Sequence, residues 1–218
     1  MVVLDDILEF TPLVDNLDLS GGKQLVVPTR SSTMVECFAV DWLIVNLGLE
    51  RVGIFSSPTI ISPMVQRNAY SEDPSAPLTT AVELFASKNR DLFVVQIRAE
   101  ILDGKMFAQK FSKFVEMHAQ EVKVVIVSGS DSCFLTGDEL TSQRIGFASE
   151  GSQIVNGGLV KRFIDVFEKK ELVVASTRGK GAEEIAKLSL EMAGAVCSKL
   201  LGVTDDMKIV PCSIRTIV

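Results

Sequence analysis

Short apolar strands alternate with helical apolar stripes along most of this chain, and this alternation limits the possible folds more than any single motif. Residues 24–28 form a short apolar run that ends in proline, and residues 51–55 form another. Between them, one helical face is predicted by spacings of three, four, three and four in Val35, Phe38, Trp42, Val45 and Leu49. Thr33 and Glu36 have the spacing of a capping box at the start of this helix. A strand, a helix and a strand in succession favour a crossover between parallel strands.

A second unit of the same kind follows. Residues 92–98 alternate in hydrophobicity and predict a strand, and residues 122–127 predict a buried one. The helical face between them carries Phe107, Phe111, Phe114, Val115 and His118. Residues 182–201 predict the last strong helix. We therefore expect an α/β fold: a single layered domain with a mostly parallel sheet and helices on both faces.

The chain divides into three parts by pattern. Residues 1–22 are acidic and show no clear period, so they predict an irregular N-terminal arm. Residues 23–202 hold the α/β domain, and residues 203–218 predict a C-terminal tail that is held by few contacts.

Charge excludes two classes of partner. The net charge is −6 over 218 residues, which argues against a broad nucleic-acid surface and against docking on an anionic membrane. Uninterrupted apolar runs reach only about four residues, whereas a bilayer span needs about 20.

Cysteine usage and the first residues indicate the compartment. Cys37, Cys133, Cys197 and Cys212 form no closely spaced pair, which favours free thiols in a reducing environment. Residues 1–10 contain acidic residues and no basic segment typical of a secretory leader. We expect the chain in the cytoplasm or the nucleus.

Few residues suggest chemistry. His118 is the single histidine, so a histidine-based metal site would have no second imidazole ligand. We interpret His118 as a packing side chain or one close to the helix cap. Residues 128–132 follow a buried strand but lack the G-x-S-x-G elbow. Residues 29–32 and 178–181 precede helices, and each is either a phosphate-binding loop or an ordinary connection. The sequence predicts no catalytic residue, no cofactor and no metal site.

A long loop with four prolines, residues 56–77, is the candidate partner-binding segment. Long loops within compact domains are usually functional or mobile. Its apolar and aromatic candidates are Ile60, Ile61, Met64, Val65 and Tyr70. The alternative is a loop that packs against its own domain.

Several short motifs in order resemble the proteasome assembly chaperone 2 family. They are LVVP at 25–28, AVDWLI at 39–44, VGIF at 52–55, SPMV at 62–65 with NAY at 68–70, the strand at 92–98, VVIVSGS at 124–130 and GGLVK at 157–161. The family has an apolar strand ending in proline, a helix of AVDLII type, a strand of IGYF type and a loop of VPMVGNNPY type. Here Gln66 and Arg67 replace Gly-Asn, and Ala69 replaces proline. The resemblance covers about residues 24–201.

This resemblance implies a non-enzymatic chaperone on an α/β fold related to phosphorylase-like domains. It implies a heterodimer with proteasome assembly chaperone 1 that scaffolds the ring of proteasome α subunits. An alternative is a phosphorylase- or hydrolase-like enzyme on the same fold, since fold does not determine function.

Some related chaperones insert a C-terminal tail of the form hydrophobic–Tyr–any residue between α subunits. This chain reads Thr216, Ile217 and Val218 at those positions. Ile217 and Val218 are therefore candidate partner-binding residues, but we expect them to contribute less than a tyrosine anchor.

Overall fold

The fold, taken from a computed structural model, is built around one eight-stranded sheet. The structure describes residues 7–119, 121–129, 134–136, 145–148, 153–155, 158–175, 177, 180–202 and 207–215. The strands of the large sheet are β1 (Glu9–Pro12), β2 (Gln24–Pro28), β3 (Glu50–Ser56), β6 (Val82–Ala86), β7 (Leu92–Ile97), β8 (Lys123–Gly129), β10 (Ile145–Ala148) and β12 (Lys170–Ala175). Two small sheets pair β4 (Val65–Gln66) with β5 (Thr79–Thr80) and β9 (Phe134–Thr136) with β11 (Gln153–Val155).

Five helices accompany these strands in the described part of the chain. They are α1 (Val35–Asn46), α2 (Gly104–His118), α3 (Gly158–Val166), α4 (Ala182–Ala195) and the short α5 (Cys212–Arg215). α4 continues as a π-helical segment over Val196–Leu201. No described helix is both long and apolar enough to cross a membrane.

The sheet has the order β1-β3-β6-β7-β2-β8-β12-β10. The pairs β7–β2, β2–β8 and β8–β12 are parallel, and the remaining neighbours are antiparallel. The α/β class expected from the sequence is confirmed, but the sheet is mixed: its parallel pairs lie at the centre. The reason is connection length, because only residues 87–91 join β6 to β7, and such a short turn permits only an antiparallel pair.

The strand–helix–strand unit predicted for residues 24–55 has a wider crossover than expected. β2 and β3 run in the same direction, but β7 and β6 lie between them. β2 likewise lies between β7 and β8, the strands that α2 connects.

The core consists of two apolar clusters that take alternate residues of the strands. Leu25 and Val27 lie in one cluster, together with residues of α2 and α3, and Val26 lies in the other, together with residues of α1 and α4. This alternation follows from the period of two in a strand. The surplus of phenylalanine is used in the first cluster, where Phe107, Phe111 and Phe163 are fully buried.

Two local predictions need correction. The first residue of α1 is Val35, and the residue before it, Met34, has a left-handed backbone and no side-chain cap. The predicted capping box is not formed: Glu36 is buried and instead accepts hydrogen bonds from the backbone N–H and the hydroxyl of Ser31. The arm predicted to be irregular contains β1, which pairs with β3, because Phe10 packs on Phe55 with ring centres 4.9 Å apart.

Candidate functional site

The long loop between β3 and β5 turns two of its candidate residues inward. Ile60 and Ile61 are 1% and 3% exposed, belong to the core and anchor the first part of the loop. Ile61 also forms an isolated antiparallel bridge with Ile101. These two side chains do not reach the surface, so a partner meets other residues of the loop.

The next residues of the loop form an exposed apolar surface. Val65 is 66% exposed and Leu78 is 55% exposed, while Met64 is half-buried between them and the core. In the β4–β5 pair, Val65 faces Thr80 and Gln66 faces Thr79. Thr79 is buried, whereas Leu78, the residue that precedes β5, is exposed. We call Pro63, Met64, Val65 and Leu78 the loop surface.

A groove runs beside the loop surface. It has a volume of about 490 Å³ and is lined mainly by apolar side chains, among them Phe55, Pro58, Ile61, Met64 and Val65. A second groove of about 550 Å³ lies on the other side of Met64, between the loop and α5. An apolar patch flanked by grooves is a suitable surface for a protein partner.

Tyr70 anchors the far part of the loop instead of facing outward. Its ring meets Phe85 edge-to-face at 5.2 Å, and its hydroxyl accepts a hydrogen bond of 2.9 Å from Nη2 of Arg98. The Arg98 guanidinium also lies 5.2 Å from the centre of the Tyr70 ring, a cation–π distance. Tyr70 therefore connects the loop to β6 through Phe85 and to Arg98, the residue that follows β7.

Arg98 in turn pairs with a carboxylate inside α1. Asp41 is fully buried, and its Oδ1 lies 2.5 Å from Nη2 of Arg98 and 2.6 Å from Nε2 of Gln96. Gln96 also donates to the carbonyl of Cys37, at 2.8 Å. A buried charge is tolerated only when it is paired and hydrogen-bonded, and the charges of Asp41 and Arg98 meet that condition. Oε1 of Gln96 and Nε of Arg98 have no hydrogen-bond partner among the described residues.

The cluster displaces the pKa values of its members. Burial raises the pKa of the Tyr70 hydroxyl well above its ordinary value, and the negative charge of Asp41 adds to the effect. Burial by itself would lower the pKa of Arg98, but the charge of Asp41, the neighbouring Tyr70 and the hydrogen bonds to both together raise that pKa. The pKa of the Cys37 thiol is also raised, first by burial and then by Glu36 and Asp41.

The C-terminal segment reaches the same cluster. Ser213 of α5 donates its hydroxyl to Oδ2 of Asp41 at 2.5 Å, and Arg215 forms an ion pair with Glu72 of the loop. Ile214 is 2% exposed. The predicted tail is thus tied to the domain through residue 215, and the candidate residues Ile217 and Val218 lie outside the described residues.

Sequence reasoning did not find the cluster of Asp41, Gln96 and Arg98. One signal was available: Asp41 stands inside the apolar run Ala-Val-Asp-Trp-Leu-Ile, where a charge needs a buried partner. Its partner is 57 residues further along the chain, and local periodicity does not reveal such a distance.

The other residues considered for chemistry are not brought together. His118 lies exposed in the last turn of α2, where its ring contacts Phe114 edge-to-face at 4.5 Å. Thr29 is buried and donates to the hydroxyl of Ser128 at 2.8 Å. Residues 130–132 and 178–179 lie outside the described part. Among the residues that the structure describes, no group of three or more histidine, cysteine, aspartate or glutamate side chains is placed to hold a metal ion.

No family model matches the chain, but relatives in sequence do. It is 30% identical over 127 residues to proteasome assembly chaperone 2 of Bos taurus, a match over 56% of this chain and 47% of that protein. It is 38% identical over 87 residues to the Danio rerio protein of the same name, covering 39% and 33%. With the Xenopus laevis protein it shares 25% identity over 166 residues, covering 74% and 61%.

The resemblance to proteasome assembly chaperone 2 is confirmed. The chain spans about half the length of the curated proteasome assembly chaperone 2 relatives that it matches.

Solved structures agree on the fold. Pyrococcus furiosus PbaA, an archaeal homolog of proteasome-assembly chaperone, superposes with a TM-score of 0.60 at 13% identity, covering 92% of this chain and 89% of PbaA. Pyrococcus furiosus PbaB, an archaeal proteasome activator, gives 0.56 at 15% identity, covering 92% and 91%. At these identities the likeness concerns the fold alone, and it extends to most of the chain.

Proposed function

We propose that this chain is a proteasome assembly chaperone subunit that acts by binding and not by catalysis. In this proposal it forms a heterodimer with proteasome assembly chaperone 1, and the pair binds proteasome α subunits while the α ring forms. The names of its relatives in sequence support the assembly role. The partners are part of the proposal, because the chain matches only about half of those relatives.

The observation that carries the proposal is the loop surface. Val65 and Leu78 are exposed apolar side chains of one loop, which is anchored to the domain by the buried Ile60 and Ile61 and by the contact of Tyr70 with Phe85. Burial of such a surface against a partner lowers the free energy of the complex, because apolar side chains leave water. Because the loop is anchored in the free chain, binding costs less conformational entropy. A stable partner buries about 800 Å² per side, so the interface extends beyond these residues into the flanking grooves.

The enzymatic alternative has one observation in its favour. An open groove of about 870 Å³ lies at the carboxyl ends of the parallel strands and is lined by Arg30, Lys105 and Lys161 among others. Ligands of α/β enzymes bind in this position. However, the buried groups with raised pKa values, Tyr70, Arg98 and Cys37, surround Asp41 and do not line this groove. This separation favours a binding function.

The compartment and the tail complete the proposal. Among the described residues, Cys37 and Cys212 form no disulfide bond, which suits a protein of the cytoplasm or the nucleus. We propose that the main contact with α subunits lies elsewhere on the heterodimer than at Ile217 and Val218.

The test is co-expression with proteasome assembly chaperone 1, using the double variant Val65→Glu, Leu78→Glu. We expect the unchanged chain to elute with its partner as a one-to-one complex. The double variant should bind about 100-fold more weakly, because two carboxylates would be desolvated in the interface. Both side chains are exposed, so the variant should fold normally.

Met117→Glu is the matched control. Met117 is 68% exposed near the end of α2 and lies outside the loop surface, so its substitution should leave the affinity unchanged. A double variant that binds as tightly as the unchanged chain would remove the loop surface from the proposal. Absence of any complex with the unchanged chain would contradict the heterodimer itself.

A further inference from the structure

Two segments that are far apart in sequence share one buried carboxylate. Oδ1 of Asp41 accepts from Arg98, whose Nη2 also donates to the hydroxyl of Tyr70 in the loop. Oδ2 of Asp41 accepts from the hydroxyl of Ser213 in α5. The loop and the C-terminal segment are thus joined through the two oxygens of one side chain that has no exposed surface.

The same two segments also contact each other directly. The N–H of Ser213 donates to the carbonyl of Ala69 at 3.3 Å, and Arg215 pairs with Glu72. Three successive residues of α5 are therefore engaged, because Ile214 between them is buried in the cluster against which Tyr70 packs.

The C-terminal segment depends on these contacts for its conformation. α5 has only four residues, and an isolated helix of one turn is not stable in water. The start of the segment is fixed separately by Asn46 of α1, which exchanges two hydrogen bonds with the backbone of Ile209, at 2.8 and 2.9 Å. The segment 207–215 is accordingly docked at two points and can open as a unit.

We propose that the segment 207–215 is a latch that holds the loop 62–78, and with it the loop surface, in its binding conformation. When the latch opens, Asp41 loses the hydrogen bond from the Ser213 hydroxyl, and the carbonyl of Ala69 loses the one from the Ser213 N–H. Opening also exposes the side chain of Ile214. The Tyr70 anchor then loses part of its support, and the loop loosens. Only the role of the loop surface as a binding site rests on the proposed function; the mechanical coupling does not.

The coupling is reciprocal. If a docked latch favours the binding conformation of the loop, a partner bound at the loop surface must by the same free energy favour the docked latch. A protein that displaces residues 207–215 would therefore lower the affinity of the loop surface for its partner.

Hydrogen–deuterium exchange of the full chain tests the latch with two matched serine substitutions. Ser213→Ala removes the hydrogen bond to Asp41 of α1. Ser189→Ala removes the hydrogen bond that Ser189 of α4 accepts from Nε1 of Trp42, which also lies in α1, at 3.2 Å. Ser213→Ala should speed exchange about tenfold both in residues 207–215 and in residues 64–73. Ser189→Ala should leave both segments at their original rates.

A second variant loosens the latch without touching Asp41 or the loop. Asn46→Ala should also accelerate exchange in both segments, since it frees the start of the latch. Faster exchange confined to residues 207–215 in both variants would overturn the proposal, as would equal acceleration of residues 64–73 in Ser189→Ala.

A third arm adds proteasome assembly chaperone 1 to the unchanged chain. Slower exchange in residues 207–215 on complex formation is expected, and an unchanged rate in a formed complex contradicts the reciprocal coupling. If no complex forms, the proposed partner is wrong, while the comparison of the serine variants still decides whether the latch exists.

Discussion

At the scale of single residues, Asp41 is the position where this fold depends most on one charge. Its carboxylate is buried in an otherwise apolar helix, and it is stabilised by Arg98, itself 7% exposed, and by Gln96. Removing one member of a buried ion pair leaves the other charge without compensation, whereas replacing both by apolar side chains is often neutral.

Asp41→Ala should therefore lower the free energy of unfolding by about 3–5 kcal/mol, because Arg98 would remain buried and unpaired. The double variant Asp41→Leu, Arg98→Met should recover much of that loss. Urea denaturation of the three proteins measures both effects. A loss below about 1 kcal/mol in Asp41→Ala would mean that Arg98 finds water or another partner.

The raised pKa of Tyr70 predicts that the folded chain loses stability at alkaline pH. Burial and then Asp41 raise the pKa of its hydroxyl above the ordinary 10.0, so the folded chain holds that proton more tightly than the unfolded chain. Stability from this group is complete below pH 10 and decreases as the pH rises toward the folded-state pKa. Cys37, with its own raised pKa, adds a loss that begins above its ordinary value of 9.0.

The urea midpoint should consequently begin to fall above about pH 9 and should fall more steeply above about pH 10. Tyr70→Phe should be less stable near neutral pH, because it lacks the hydrogen bond from Arg98, but its midpoint should fall less steeply above pH 10. Parallel slopes for the two proteins would show that Tyr70 does not contribute to the alkaline loss.

At the scale of elements, the edge strand β1 depends on a glycine in its neighbour. A Cβ at Gly53 of β3 would lie 2.2 Å from Cζ of Phe10 and 3.2 Å from the carbonyl oxygen of Thr11. Phe10 is wedged there between Phe55 and Phe114, with ring centres 4.9 and 4.7 Å away. Any side chain at this position would force the Phe10 ring to shift.

Gly53→Ala should thus destabilise the chain by about 1–3 kcal/mol, because Phe10 must shift within a packed cluster. Gly194→Ala is the control of opposite sign: Gly194 lies inside α4 with open space where its Cβ would be, and alanine there should stabilise by about 0.5–1 kcal/mol. Thermal unfolding distinguishes the two variants, and equal shifts in one direction would contradict this account of β1.

At the scale of the whole molecule, the chain is apolar on average and exposes large apolar side chains. The mean hydropathy of the sequence is +0.30, and Val65 and Leu78 of the loop surface are exposed. Exposed apolar patches favour association, with copies of the same chain when the proper partner is absent.

The isolated chain should therefore self-associate, and the double variant Val65→Glu, Leu78→Glu should be closer to a monomer at the same concentration. Size-exclusion chromatography with light scattering measures both masses. A clean monomer of the unchanged chain that ignores proteasome assembly chaperone 1 would contradict the proposed heterodimer and the apolar interface together.

The sequence by itself determined the α/β class and many, but not all, of the elements. The predicted strand at residues 24–28 is β2, that at 51–55 lies within β3, and the stripe that starts at Val35 is α1. These features are readable because a period of two or of 3.6 reports which side of a local element is buried, and that information lies within about ten successive residues.

Only the tertiary structure decided how these elements meet. The order of the strands, the docking of β1 over Gly53, and the inward turn of Ile60, Ile61 and Tyr70 all depend on contacts between distant parts of the chain. Asp41 pairs with Arg98 57 residues later and with Ser213 172 residues later. No local pattern encodes such partners, because a buried charge or loop carbonyl is satisfied by whichever group the complete fold brings within hydrogen-bonding distance.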